Sequence, residues 1–139
     1  MHVADHLAIA KRSENMRRIR SNDTGPELTV RRIVHAMGIG YRLHHKELPG
    51  KPDLAFIGRR KAIFVHGCFW HQHGIVGCSD SRVPKSRPEY WLPKLGRNVA
   101  RDEEHLANLR ALGWRVLVIW DCETTQTSNL AERLRAFLE

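Results

Sequence analysis

Three histidines, one cysteine and two adjacent large aromatics fall within nine residues, Val65-His66-Gly67-Cys68-Phe69-Trp70-His71-Gln72-His73. Imidazole moves protons near neutral pH and binds metals. A thiolate binds zinc, and aromatics at the end of a strand can wedge into a stack of bases. One segment holding all three points to chemistry on nucleic acid.

Cys68, His73 and Cys78 stand five residues apart, and Cys122 lies just beyond a second apolar run, Val116-Leu117-Val118-Ile119. A residue leaving a strand there can meet the neighbouring loop. The four ligands suit a tetrahedral structural zinc, which would fix a glycine-containing loop that has little core of its own. The alternative is that Cys68 and Cys122 are ordinary buried thiols.

Gly50-Lys51-Pro52-Asp53 opens one apolar segment, and Val65-His66 closes the next. If the two pair as a hairpin, the Asp53 carboxylate lies near the Val65 carbonyl, His66 and His71. A carboxylate with a carbonyl oxygen is the hard environment that Mg²⁺ accepts. Around this point the spacing leaves alternatives open. Glu27, at the start of a helix, is a further acid or a partner of the helix dipole. His71 is a base or another zinc ligand. Asp102, beside Glu103 and Glu104, is a site residue or part of a solvated charge run.

The elements that must position these groups follow from periodicity and caps. Residues 4–20 read as a basic helix. Thr24 or Asp23 as cap, then Pro26 and Glu27, open a second helix running to Met37 and stopped by Gly38. Residues 41–45, 53–57 and 61–65 read as strands, the last two joined by a turn at Gly58-Arg59-Arg60. Residues 66–87 read as irregular. Residues 88–112 are helical, interrupted at Pro93 and Gly96 and closed by Gly113. Residues 114–120 form a buried-type strand, and 128–138 a final amphipathic helix. The order predicts an α/β fold with a mixed central sheet flanked by helices.

With 139 residues and 42% hydrophobic composition, the chain fits one domain, residues 1–139. Its net charge of +8 favours a polyanionic partner. The cations cluster, with Lys11, Arg12, Arg17, Arg18 and Arg20 in one group and Arg82, Lys85, Arg87, Lys94, Arg97 and Arg101 in another. Two groups suit a protein that grips a duplex from two sides. The first residues lack the apolar run of a signal peptide, and no stretch approaches the roughly 20 apolar residues that span a bilayer. Three cysteines without an export signal argue against disulfides. A cytoplasmic, nucleoid-associated protein is expected.

Several motifs together resemble the very short patch repair (Vsr) DNA mismatch endonucleases. They are Ser13-Glu14-Asn15-Met16-Arg17, Asp23-Thr24-Gly25-Pro26-Glu27, Leu48-Pro49-Gly50-Lys51-Pro52-Asp53, Phe64-Val65-His66-Gly67-Cys68-Phe69-Trp70-His71, Glu89-Tyr90-Trp91, Asn98-Val99-Ala100-Arg101-Asp102 and Gly113-Trp114-Arg115-Val116. They stand in the family's order and cover nearly the whole chain. The resemblance implies a fold of the PD-(D/E)xK restriction-endonuclease type. It also implies Mg²⁺-dependent nicking of duplex DNA 5′ to the T of a T·G mismatch left by deamination of 5-methylcytosine.

By the same resemblance Asp53 binds Mg²⁺ together with the Val65 carbonyl, and Glu27 holds a metal-bound water. His71 is the general base, Asp102 orients a histidine, and His66 supports the phosphate or the leaving group. Cys68, His73, Cys78 and Cys122 hold zinc. Phe69, Trp70 and Trp91 wedge into the stack from the major groove and Met16 from the minor groove, with residues 1–22 a basic DNA-contacting segment. A monomer is expected, with MutL-type repair factors as partners.

Val65 stands where well-known members carry Thr, which keeps a backbone ligand and loses a hydroxyl. Four residues separate His73 from Cys78, more than in those members, and Pro93 falls in the helix of Trp91. A less specific nicking nuclease, or a zinc-stabilised DNA-binding module without catalysis, would share the charge and the aromatics.

Overall fold

The buried face of the first helix carries both core and chemistry. In a computed structural model that describes residues 24–73, 83 and 86–139, helix α1 spans Gly25–Ala36. Thr24 is its cap, accepting from the Glu27 N–H at 3.3 Å, and Gly38 in the left-handed region (φ +76°) ends the turn that follows. Glu27, Val30 and Val34 are buried together, as spacings of three and four residues require. Burying the apolar stripe therefore carries the Glu27 carboxylate inward. The expected basic helix, Met16 and Cys78 lie outside the described residues.

Four strands form one sheet in the order β1-β2-β3-β4: Arg42–Leu43, Leu54–Phe56, Lys61–His66 and Arg115–Trp120. The first two pairings are antiparallel and β3–β4 is parallel, with Val65 opposite Ile119 and His66 opposite Trp120. A parallel pair needs a long crossover. Here it contains a short helix, α2 (Cys68–His71), and a long one, α3 (Pro88–Ala111). After β4 a 3₁₀ turn, Asp121–Thr125, leads into α4, Thr127–Leu138.

Alternation along β3 divides the molecule. Ile63 joins Leu54, Phe56 and Ile119 in a core closed by Val30 and Val34 of α1 and by Leu130, Leu134 and Leu138 of α4. Each such side chain contributes roughly 1.5–3 kcal/mol on burial. Ala62, Phe64 and His66 alternate to the other face of the strand. The buried Lys61 ammonium donates to the Phe137 carbonyl at 2.6 Å and Arg59 to that of Leu138 at 2.8 Å, so two cations cap the end of α4.

Three features of the fold differ from what the sequence predicts. The first two strands are shorter than expected, because His44 (φ +48°) leaves extended geometry and Ile57–Arg59 coil into a 3₁₀ turn. Part of the expected irregular stretch is helical, since α2 begins directly after Gly67. The long helix runs through Pro93 and Gly96 without a break. Pro93 sits near its start, where one lost hydrogen bond is outweighed by the turns that follow.

The chain reaches β2 through a tight turn, Leu48-Pro49-Gly50-Lys51, in which the Lys51 N–H donates to the Leu48 carbonyl at 3.0 Å. Proline second and a left-handed glycine third (φ +76°) are the signature of type II. A Cβ on Gly50 would lie 2.9 Å from the His105 Cβ and 3.1 Å from the Phe64 ring, so the turn packs directly onto α3. Lys51 follows at φ +50° and Pro52 is buried, which fixes where Asp53 begins.

Candidate active site

A cleft of about 260 Å³ opens where β3 ends, and Glu27, Asp53, Val65, His66, His71 and Asp102 all line it. Clefts beyond the carboxyl ends of parallel strands are common ligand sites. Two groups of ionisable side chains meet there.

The first group is acidic. Asp53 Oδ2 accepts the Val65 N–H at 2.7 Å. In extended backbone a residue's N–H and C=O point to the same side, so the Val65 carbonyl faces Asp53 as well. Burial pushes the Asp53 carboxyl up from 3.8 to about 6; the Val65 hydrogen bond and His44 oppose this, while the Glu27 charge adds to it. His44 Nε2 lies 2.8 Å from Glu27 Oε2 and 3.9 Å from Asp53 Oδ1. Two carboxylates and a carbonyl make a hard oxygen set, and their mutual repulsion is what a divalent cation would relieve. These residues fit Mg²⁺.

The second group joins two imidazoles to a carboxylate. His71 Nδ1 lies 2.5 Å from Asp102 Oδ2, leaving Nε2 as the ring nitrogen outside that bond. His66 stacks on His71, with ring centroids 3.9 Å apart and planes 8° from parallel. Burial first, and the neighbouring His71 second, push His66 down to about 3, with Asp102 opposing. His66 is thus neutral at physiological pH, with one ring nitrogen donating and the other accepting.

Beside the cleft a third group forms. His73 Nδ1 lies 3.8 Å from Cys68 Sγ and 3.4 Å from Cys122 Sγ, and the Cys122 N–H donates to Cys68 Sγ at 3.4 Å. Tetrahedral zinc with ordinary bond lengths separates sulfur from nitrogen by about 3.6 Å. The three donors fit that ion. Cys78, the fourth expected ligand, is outside the described residues. Cys68 is buried, and His73 stacks on Trp120 at 4.4 Å.

Phe69 and Trp70 on α2 meet Trp91 on α3, with centroids 5.3 and 6.0 Å from it. All three are half-buried, and Trp70 also lines the cleft. The Asn98 side chain donates to the Trp70 carbonyl at 3.2 Å, fastening α2 to α3. Two residues not expected from the sequence also join these groups. Tyr90 extends the aromatic group, 4.9 Å from Trp91, with the cations of Arg87 and Lys94 over its ring. Its position next to Trp91 was a usable signal. His44 touches both carboxylates, and nothing in its spacing marked it.

The structure brings together Asp53, Glu27 and Val65; His66, His71 and Asp102; Cys68, His73 and Cys122; and Phe69, Trp70 and Trp91. No helix of the described residues is long and apolar enough to cross a membrane.

The chain is similar in sequence to known DNA mismatch and nicking enzymes. The family model described as DNA mismatch endonuclease Vsr matches residues 4–76. The chain is 47% identical over 137 residues to the type II nicking enzyme V.XorIIP of Xanthomonas oryzae, covering 99% of this chain and 98% of that protein. It is 40% identical over 141 residues to the DNA mismatch endonuclease Vsr of Escherichia coli, covering 98% and 88%. The type II nicking enzyme V.NmeAIP of Neisseria meningitidis is 36% identical over 132 residues, covering 95% and 92%.

Proposed function

Because the chain belongs to the Vsr family of DNA mismatch endonucleases, we propose that it is a Mg²⁺-dependent enzyme that nicks duplex DNA 5′ to the T of a T·G mismatch. Such mismatches follow deamination of 5-methylcytosine. The observation that carries this reading is the meeting of the Asp53–Glu27 pair and the Asp102–His71–His66 relay in one cleft, beside the aromatic group.

Asp53 and the Val65 carbonyl would hold Mg²⁺ with Glu27 holding its water, and the bound ion supplies positive charge to the phosphate and the leaving oxygen. His71 takes the proton of the attacking water at Nε2, and Asp102 stabilises the imidazolium that forms. His66, kept neutral by burial, presents an N–H to the phosphate or the leaving oxygen. Lys51, exposed on the cleft wall, supplies a cation to the backbone of the cut strand.

Phe69, Trp70 and Trp91 enter the stack from the major-groove side and Met16, within the basic segment 1–22, from the minor-groove side. Unstacking costs a few kcal/mol, and least at a mispair, so the mismatch itself lowers the cost of insertion. Cys68, His73, Cys78 and Cys122 hold a structural zinc that steadies the loop carrying the wedge. On this reading the mixed sheet is of the PD-(D/E)xK type, and the enzyme works as a monomer in the cytoplasm, at the nucleoid, with MutL-type factors downstream.

The test is cleavage of a T·G duplex against its T·A counterpart with Mg²⁺ and zinc supplied separately after EDTA treatment. One-strand nicking of T·G alone is expected. Equal cutting of both duplexes would show a general nuclease, and binding without cutting a non-catalytic module.

A further inference from the structure

We propose that His44 is a positioning residue: from behind the cleft it holds the Glu27 carboxylate in the orientation in which Glu27 and Asp53 serve one divalent cation. This rests on the metal reading of the Asp53 site given above.

Four observations converge on it. Glu27 is 2% exposed, so its carboxylate depends on protein partners for its orientation. His44 Nε2 sits 2.8 Å from Glu27 Oε2, and the ligand atoms of Glu27, His44 and Asp53 all lie within 4.8 Å of one another. His44 is also tied to Asp53 through the main chain, its N–H donating to the Asp53 carbonyl at 3.1 Å. It holds a left-handed backbone (φ +48°), which a non-glycine residue adopts at a cost and keeps only where its surroundings enforce it.

Glu27 and Asp53 line the cleft, whereas His44 does not. It therefore acts through the carboxylates and not on the DNA. An ionised carboxylate only accepts, so the Nε2–H tautomer completes the bond. The Arg31 guanidinium reaches the same Glu27 oxygen at 3.5 Å, one helical turn along. The oxygen is thus held from the residue that follows β1 and from α1. Outer partners of this kind typically set metal affinity by about 10- to 100-fold.

The test measures Mn²⁺ binding to the purified full-length, zinc-loaded protein by electron paramagnetic resonance, for the wild type, Asp53→Asn, His44→Gln and His44→Met. Wild type against Asp53→Asn isolates the cleft site. His44→Met keeps the bulk without the donor and is expected to weaken that binding about 10- to 100-fold, with an unchanged circular dichroism spectrum and zinc content. Its nicking should recover as Mg²⁺ is raised. His44→Gln restores an N–H and should lose less than the about 10-fold that removing an outer partner costs at the least. If His44→Met and His44→Gln bind Mn²⁺ equally well, His44 does not position the site. If wild type and Asp53→Asn bind equally, the metal reading fails, and this one with it.

Discussion

His71 Nδ1 and Asp102 Oδ2 are 2.5 Å apart, and this contact joins α2, which follows β3, to the long crossover helix α3. It selects the tautomer with the proton on Nδ1 and leaves Nε2 able to accept one. Asparagine at 102 can face the ring with either its oxygen or its amide and so loses that selection. Asp102→Asn is expected to lower kcat about 100-fold or more, since a positioned base contributes roughly 10²–10⁴. Duplex binding, read by fluorescence anisotropy, should stay unchanged. Equal losses in binding and kcat would make Asp102 a residue of the DNA surface instead.

On the proposed function, Asp53 makes stability and activity pull apart. Its carboxyl is raised to about 6 from 3.8, so folding favours the protonated form. The stability this contributes is complete below pH 3.8 and is lost as pH rises through about 6. Asp53→Asn should therefore stabilise the protein without added Mg²⁺ at pH 8, by up to about 3 kcal/mol, and change little at pH 3.5. Thermal melts at the two pH values check this, and a lower Tm for Asp53→Asn at pH 8 overturns it. On the proposed function, protons and Mg²⁺ compete for the same oxygen in the wild type. Nicking at limiting Mg²⁺ should fall below pH 6 and recover when Mg²⁺ is raised.

Trp91 tests the wedge. Base–aromatic stacking is worth about 1–3 kcal/mol, so Trp91→Ala should lower the preference for T·G over T·A roughly 5- to 150-fold. Because Trp91 is only half-buried, the melting temperature should move little. A large drop in Tm with preserved discrimination would make it a packing residue.

Cys122 tests the proposed structural zinc. Cys122→Ser should lower the zinc measured per chain by atomic emission and depress the Tm, and EDTA should do the same to the wild type. Zinc, and not Mg²⁺, should restore the melt. A wild type free of zinc and indifferent to EDTA would mean that Cys68 and Cys122 are simply packed thiols.

Residues whose roles follow from local chemistry were legible in the sequence. The Thr24 cap, the apolar alternation of β3 and the amphipathic stripe of α4 each announce themselves within a few positions. The link between Asp53 and Val65 was legible too, because a hairpin brings the start of one strand to the end of the next. What stayed hidden depends on distant packing. Spacing left Asp102 inside a charge run, and only the path of α3 over the sheet brings it to His71. His44 was silent because its partner Glu27 lies 17 positions away, on a helix that packs against the opposite face from Phe64. The helix at 68–71 was obscured by its single turn, which is too short to show a period.

Gly50 leaves no room between its own Cα and His105, three residues beyond Asp102 on α3. The missing methyl works as a gauge block. It sets how far the turn that delivers one aspartate stands from the helix that delivers the other. Even an alanine there would prise the half proposed to hold metal away from the half proposed to move protons, with neither half itself altered.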